Sequence, residues 1–196
     1  MFAPFSKRGK AWEPLAVGLR RLVKVGADDL LDPWLLAAKV GLTVMDGHAA
    51  ISNLSREEQA HLLGAGSDDW SGGVYPMPLP DGTRLCILNP KHSRRRNKIT
   101  LMEEISHTYL KHKPSGLVLV SDGIQVRDYN KSQEEEAYGV GAATLLPWQT
   151  FFRALNSGHT VEKLAEDYDV TTALVTYRIK ITGAYNVYQS RQRRRA

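Results

Sequence analysis

The sequence predicts an α+β fold with a small antiparallel sheet and a C-terminal helical appendix that resembles a helix-turn-helix. One further helix, called the motif helix below, carries the glutamates and the histidine of the sequence Glu103-Glu104-Ile105-Ser106-His107. Apolar residues recur at helical spacing towards both ends of the chain, whereas glycine, proline and Asp-Gly signals punctuate its middle. With 196 residues and 42% hydrophobic content, the chain is long enough for one well-cored domain and a small appendix.

The N-terminal third is predicted to be mainly helical. Trp12 to Val25 places its leucines at helical spacing. Asp32-Pro33 begins a second helix, because a proline in the first turn removes no helical hydrogen bond. Ser55 to Glu58 has the capping-box pattern, which predicts a third, short helix. Between the second and third helices, Leu42 to Met45 is predicted to form a strand.

The middle of the chain carries a predicted antiparallel strand pair and the motif helix. Val74-Tyr75 and Arg84 to Leu88 flank a turn that contains Asp81-Gly82. The basic cluster Arg94-Arg95-Arg96 is expected in the following loop. The motif helix then extends from about Lys98 to His112.

Further helices are predicted after a second hairpin. Leu117 to Val120 and Ile124 to Val126 are expected to pair around Asp122-Gly123. A helix then extends from about Ser132 to Leu146, and the rest of the chain is expected to be helical.

Composition excludes several classes of protein. Cys86 is the single cysteine, so an internal disulfide framework and a cysteine-rich zinc site are both excluded. The sequence shows no signal-peptide pattern, and no apolar run approaches the roughly 18 residues of a membrane span. We therefore expect a cytoplasmic protein with no membrane partner.

The motif helix carries a carboxylate and an imidazole at a metal-binding spacing. Glu103 and His107 are four residues apart, about 40° from each other around the helix, so both can reach one ion. Glu104 lies about 60° beyond His107, where a carboxylate can act as a base without binding the metal. His112 is expected to lie off this face. The acidic first turn Glu134 to Glu136 offers a third ligand, although such triplets are usually solvated helix starts.

Several short motifs occur in a specific order between residues 88 and 147. They are Leu88-Asn89-Pro90, Ile99-Thr100-Leu101, Glu103-Glu104-Ile105-Ser106-His107, and Glu134-x-x-Ala137 through Leu145-Leu146-Pro147. Together they resemble the ImmA/IrrE family of metallopeptidases, over roughly Leu30 to Gly183. The resemblance implies a compact zincin-like domain with a single zinc ion. It also implies a cytoplasmic protease that cuts helix-turn-helix repressors.

The resemblance implies a role for each residue of the motif. His107 is the second ligand on the helix, Glu104 is the general base, and Glu134 is the distal ligand, with Glu136 as the alternative. Glu103 stands where the family pattern has histidine, and a carboxylate is a competent zinc ligand. Two carboxylates with one imidazole also suit harder ions. Three outcomes therefore have to be distinguished: the site binds zinc, it binds manganese or another divalent ion, or it binds no metal.

The expected organisation is an N-terminal helical segment (1–27), a zincin-like metallopeptidase domain (28–157) and a helical appendix with an arginine-rich tail (158–196). The expected function is regulatory proteolysis of a repressor or antitoxin-like protein. One alternative is an inactive peptidase-like protein that binds such a partner. Another is a DNA-associated regulator that uses the appendix. The candidate DNA-contacting residues are Arg178, Lys180, Arg191, Arg193, Arg194 and Arg195.

Overall fold

A computed structural model describes residues 3–52, 54–113, 117–119, 125–127 and 130–193 and confirms the α+β fold class. The helices are α1 Lys7–Leu22, α2 Pro33–Lys39, α3 Gly47–Ile51, α4 Arg56–Leu63, α5 Arg94–Tyr109, α6 Lys131–Leu145, α7 Trp148–Asn156, α8 Val161–Asp167, α9 Thr172–Thr182 and α10 Tyr185–Arg193. The strands are β1 Leu42–Asp46, β2 Gly72–Pro78, β3 Arg84–Leu88, β4 Leu117–Leu119 and β5 Gln125–Arg127. In the described part of the chain, no helix is both long and apolar enough to cross a membrane.

Three strands form a mixed sheet in the spatial order β1-β3-β2. The predicted antiparallel pair is present, with Gly72 of β2 opposite Leu88 of β3. β1 adds to the other edge of β3 in parallel, with Leu42 opposite Arg84. The sheet is therefore mixed rather than wholly antiparallel, because parallel pairing between distant segments leaves no turn signal in the sequence.

The second predicted strand pair is also present. β4 and β5 are antiparallel, with Leu117 opposite Arg127 and Leu119 opposite Gln125. The Asp122-Gly123 turn that was expected to join them lies outside the described residues.

The motif helix α5 begins earlier than the sequence suggested. The Ser93 side chain accepts a backbone N–H of the first turn and caps the helix at Arg94 rather than near Lys98. The expectation that the three arginines lie in a loop is therefore wrong, since they form the first turn of α5. Arg95 reaches Asp169, 2.9 Å away, and so connects this turn to the C-terminal helices.

Helix α6 lies between α1 and α5 and packs closely against both. A Cβ at Gly139 would overlap the indole ring of Trp12. A Cβ at Gly141 would come within 3.2 Å of the backbone of Met102 in α5. The glycines weaken α6 as an isolated helix, but they allow its backbone to approach its neighbours.

The C-terminal helices form the expected helix-turn-helix-like pair. The chain reverses between α8 and α9 at Asp169, which has a φ of 50°. Leu164, Val170 and Leu174 are fully buried between the two helices and the rest of the protein. These residues belong to the same buried apolar cluster as Leu101 of α5, so the pair shares the main core.

We predict that Gly139→Ala lowers the free energy of unfolding by about 1–3 kcal/mol, because the buried Trp12 ring has to move. Alanine would otherwise favour the helix by about 1 kcal/mol, so the sign of the change reports the contact. Urea unfolding measures it. Gly73→Ala is the control, since its new Cβ meets nothing within 4 Å. A Gly139→Ala protein as stable as the wild type would contradict the packing.

Candidate metal centre

Three side chains from α5 and α6 converge on one point. Glu103 and His107 lie one turn apart on α5, and Glu134 lies in the first turn of α6. Each offers one ligand atom, and these three atoms lie within 4.8 Å of one another. His107 Nε2 lies 3.3 Å from Glu134 Oε2. The structure thus brings together the three residues that the sequence singled out as metal ligands.

The three consecutive glutamates of α6 have different partners, because successive helical side chains diverge by about 100°. The start of the helix is fixed by the Asn130 side chain, which accepts two backbone N–H groups. The partners of Glu134, Glu135 and Glu136 are, in order, His107 at 3.3 Å, Arg8 at 3.0 Å and His112 at 3.1 Å. This geometry favours Glu134 over Glu136 as the carboxylate nearest to the α5 pair.

Burial and charge repulsion dominate the electrostatics of Glu103. Burial, together with the neighbouring carboxylates of Glu104 and Glu134, raises the pKa of this carboxyl to about 7. A cation between these groups would favour their ionised forms and offset the repulsion. The site thus has the charge distribution that a divalent ion would stabilise.

The imidazole of the cluster is held in the form that binds metals. Burial lowers the pKa of His107; the carboxylate of Glu134 opposes this, and the ring of His112 adds to it. A lowered pKa keeps the ring neutral near pH 7, and neutral imidazole is the form that coordinates metals. Two carboxylates and one neutral imidazole are a donor set that fits zinc and also harder divalent ions.

Glu104 lies beside the cluster without belonging to it. Its charge raises the pKa of Glu103, and it also adds to burial in raising the pKa of the Cys86 thiol to about 12. Cys86 is buried in β3, so Glu104 lies close to both the sheet and the cluster.

His112 is the residue that sequence reasoning missed. Its Nδ1 lies 3.0 Å from the Nδ1 of His107, so the expectation that it lies away from this site is wrong. Helix α5 ends at Tyr109, and Lys111 then turns the chain back with a φ of 57°. A helical projection does not apply beyond that turn, and the sequence signal that remained was only the proximity of two histidines.

The candidate DNA-contacting residues differ in their exposure. The prediction that Arg178 contacts DNA is wrong, because this side chain is 0% exposed. It donates to the Leu146 carbonyl at 3.2 Å and pairs with Glu13. Lys180 and Arg193 are exposed, and Arg191 is half-buried. Arg194 and Arg195 lie outside the described residues.

We predict that the metal-free protein loses stability as the pH rises, because of Glu103. The native pKa of about 7 exceeds the ordinary value of 4.5, so the native state binds this proton more tightly than the unfolded chain does. The stabilisation is complete below about pH 4.5 and is lost as the pH passes about 7, by up to about 3 kcal/mol. Glu103→Gln should remove this pH dependence. Urea unfolding of chelator-treated protein across this range measures it.

The control is Glu135→Gln, which removes a carboxylate from the same region but from a solvent-exposed ion pair with Arg8. This variant should keep the pH dependence of the wild type. An unchanged slope in Glu103→Gln would contradict a buried carboxyl with a raised pKa.

Comparison with known families agrees with this geometry. The sequence profile Peptidase_M78, described as an IrrE N-terminal-like domain, matches residues 57–180, which contain α5, α6 and the whole cluster. The match spans 124 of the 196 residues. No curated protein matches the chain. The family resemblance found in the motifs is therefore confirmed, and the chain belongs to the Peptidase_M78 family as a metallopeptidase-like protein with an IrrE N-terminal-like domain.

Proposed function

We propose that this protein is a metal-dependent, endopeptidase-like regulator that acts in the cytoplasm on a helix-turn-helix repressor or an antitoxin-like protein. The observation that carries the proposal is the convergence of Glu103, His107 and Glu134 within a chain of a metallopeptidase-like family. The class of the protein partner follows from the family resemblance.

In this proposal Glu103, His107 and Glu134 hold one divalent ion, zinc or a harder ion such as manganese. When bound, the ion supplies Lewis acidity to the carbonyl group of a peptide bond. The site's second carboxylate makes it a weaker Lewis acid than a site with two histidines, although the greater negative charge favours retention of the ion.

Glu104 acts as the general base and acid. Its carboxylate accepts a proton from the attacking water while the water oxygen bonds to the carbonyl carbon. It then donates that proton to the leaving amine nitrogen as the C–N bond breaks, which yields a carboxylic acid and an amine that become a carboxylate and an ammonium group once the acid proton moves to the amine. Its charge raises the pKa of Glu103, so its carboxylate lies near the three proposed ligands.

We predict that protein purified without chelators carries a near-stoichiometric amount of a divalent ion. The double variant with His107→Ala and Glu134→Ala should lose it, because two of the three donors are removed. Elemental analysis identifies and quantifies the ion. Glu103→His is the complementary variant and should raise affinity for zinc more than for manganese, because imidazole is the softer ligand.

A folded wild type that binds neither zinc nor manganese would contradict metal dependence. The non-cutting alternative, a binding protein on a peptidase scaffold, would then account for the fold.

We predict that Glu104→Gln lowers cleavage of a helix-turn-helix repressor by at least about a hundredfold, because the amide cannot accept the proton. Metal content and the fold should be retained. The measurement is cleavage of the purified repressor followed by gel electrophoresis and mass spectrometry. Glu135→Gln, with the same change of charge on α6, should cleave at the wild-type rate. Undiminished cleavage by Glu104→Gln would exclude its role as the base.

A further inference from the structure

The chain turns back directly after α5 and places a second imidazole on His107. The backbone N–H of His112 donates to the His107 carbonyl at 3.0 Å, and that of Lys111 donates to the Thr108 carbonyl at 3.2 Å. These are the two hydrogen bonds of a Schellman motif, in which the side chains at the two ends of the longer bond come into contact. Apolar residues usually make that contact, whereas here both positions are histidine.

This turn is adopted by a residue for which it is unfavourable. Lys111 has a φ of 57°, a left-handed conformation that costs a non-glycine residue about 1–2 kcal/mol. The conformation brings the rings of His107 and His112 to a centroid separation of 5.0 Å, at an angle of 75°.

Both ring nitrogens of His112 have partners. Nδ1 lies 3.0 Å from Nδ1 of His107, and Nε2 lies 3.1 Å from Oε2 of Glu136. The His112 side chain is only 7% exposed, so water has little access to these two contacts. A continuous chain of hydrogen bonds therefore extends from the Glu136 carboxylate through His112 to His107.

The hydrogen-bonding rules of these groups specify one proton arrangement in the metal-bound form. An ionised carboxylate only accepts, so His112 carries its proton on Nε2 and donates it to Glu136. Neutral His112 then has a lone pair on Nδ1, and His107 has to donate from its own Nδ1. The Nε2 lone pair of His107 is left on the side of the ring that faces Glu134. That tautomer is the one that binds a metal through Nε2.

We propose that His112 and Glu136 are positioning residues of the metal centre, which fix the orientation and tautomer of His107 and thereby raise its affinity for a divalent cation. This inference rests on the proposed function, because it requires His107 to be a ligand. Groups that orient a ligating histidine typically change metal affinity by about tenfold to hundredfold.

The test compares zinc affinities of the full-length protein by competition with a chromophoric chelator. Glu136→Gln keeps the size of the side chain, but its amide can both donate and accept, so it no longer specifies the tautomer of His112. This variant should bind zinc about tenfold to hundredfold more weakly than the wild type. His112→Ala should weaken binding at least as much.

Glu135→Gln is the matched control for charge. It removes one negative charge from the same turn of α6, but its carboxylate pairs with Arg8 at the surface. Its zinc affinity should stay within about twofold of the wild type, as for other exposed ion pairs. An equal loss in Glu135→Gln and Glu136→Gln would overturn the inference, because net charge alone would then explain it.

Nitrogen NMR of the imidazole rings supplies a readout that a merely structural role would not change. In the zinc-loaded wild type, His107 should carry its proton on Nδ1 and His112 on Nε2. In the metal-free protein, where no ion fixes the His107 tautomer, wild-type His112 should carry its proton on Nε2, and Glu136→Gln should give mixed tautomers of His112 at an unchanged unfolding temperature. A His112 ring that stays in one tautomer in this variant would overturn the inference.

The outcomes separate this inference from the proposed function. Wild-type zinc affinity in both Glu136→Gln and His112→Ala would overturn the inference and leave the metal centre intact. A wild type that binds neither zinc nor manganese would overturn both. Should His112→Ala fail to fold, Glu136→Gln decides the question, because its side chain is 43% exposed and its loss leaves the core unchanged.

Discussion

The convergence of the three candidate ligand atoms depends on how closely α6 approaches α5. A carboxylate on one helix can lie 3.3 Å from an imidazole on the other only when the two backbones are close. Gly141 permits this approach because it presents no side chain to the backbone of Met102. On the opposite side, the ring of Trp12 fills the space over Gly139 and supports α6 from behind. Core packing and the geometry of the cluster are therefore coupled. A change of side-chain volume between α1 and α6 would alter the distances between Glu134 and the two residues of α5.

The chemical character of the site comes from the concentration of carboxylates in a partly buried place. Burial and the neighbouring carboxylates together raise the pKa of Glu103 to about 7, and the same concentration of carboxylates makes a dication favourable there, since the cation replaces a repulsion by an attraction. Compared with a site that has two histidines, the extra negative charge strengthens attraction for the ion and weakens its Lewis acidity. In the proposed function, the affinity for the ion and its Lewis acidity towards a peptide bond therefore respond in opposite directions to the residue at position 103.

Local patterns predicted the elements of the site better than its surroundings. The spacing of Glu103 and His107 was sufficient to predict that they share a face, because it depends only on helical geometry. The position of His112 could not be predicted in this way, since it lies beyond a left-handed turn at Lys111. No glycine or asparagine marks that turn in the sequence. The burial of Arg178 was also beyond local reasoning, because its carboxylate partner is 165 positions away in the chain. The parallel pairing of β1 with β3 has the same cause.

Helix α1 precedes the region that the family profile matches. Two adjacent residues of α1 nevertheless contact buried groups of that region. Trp12 covers α6, and Glu13 supplies the counter-charge of the fully buried Arg178. A chain shortened to residues 57–180 would lack the side chain that covers α6, and Arg178 would lose its carboxylate partner. Removing one partner of a buried ion pair costs about 3–5 kcal/mol. The cooperative folding unit therefore includes residues outside the matched region, and α1 contributes to the stability of that region.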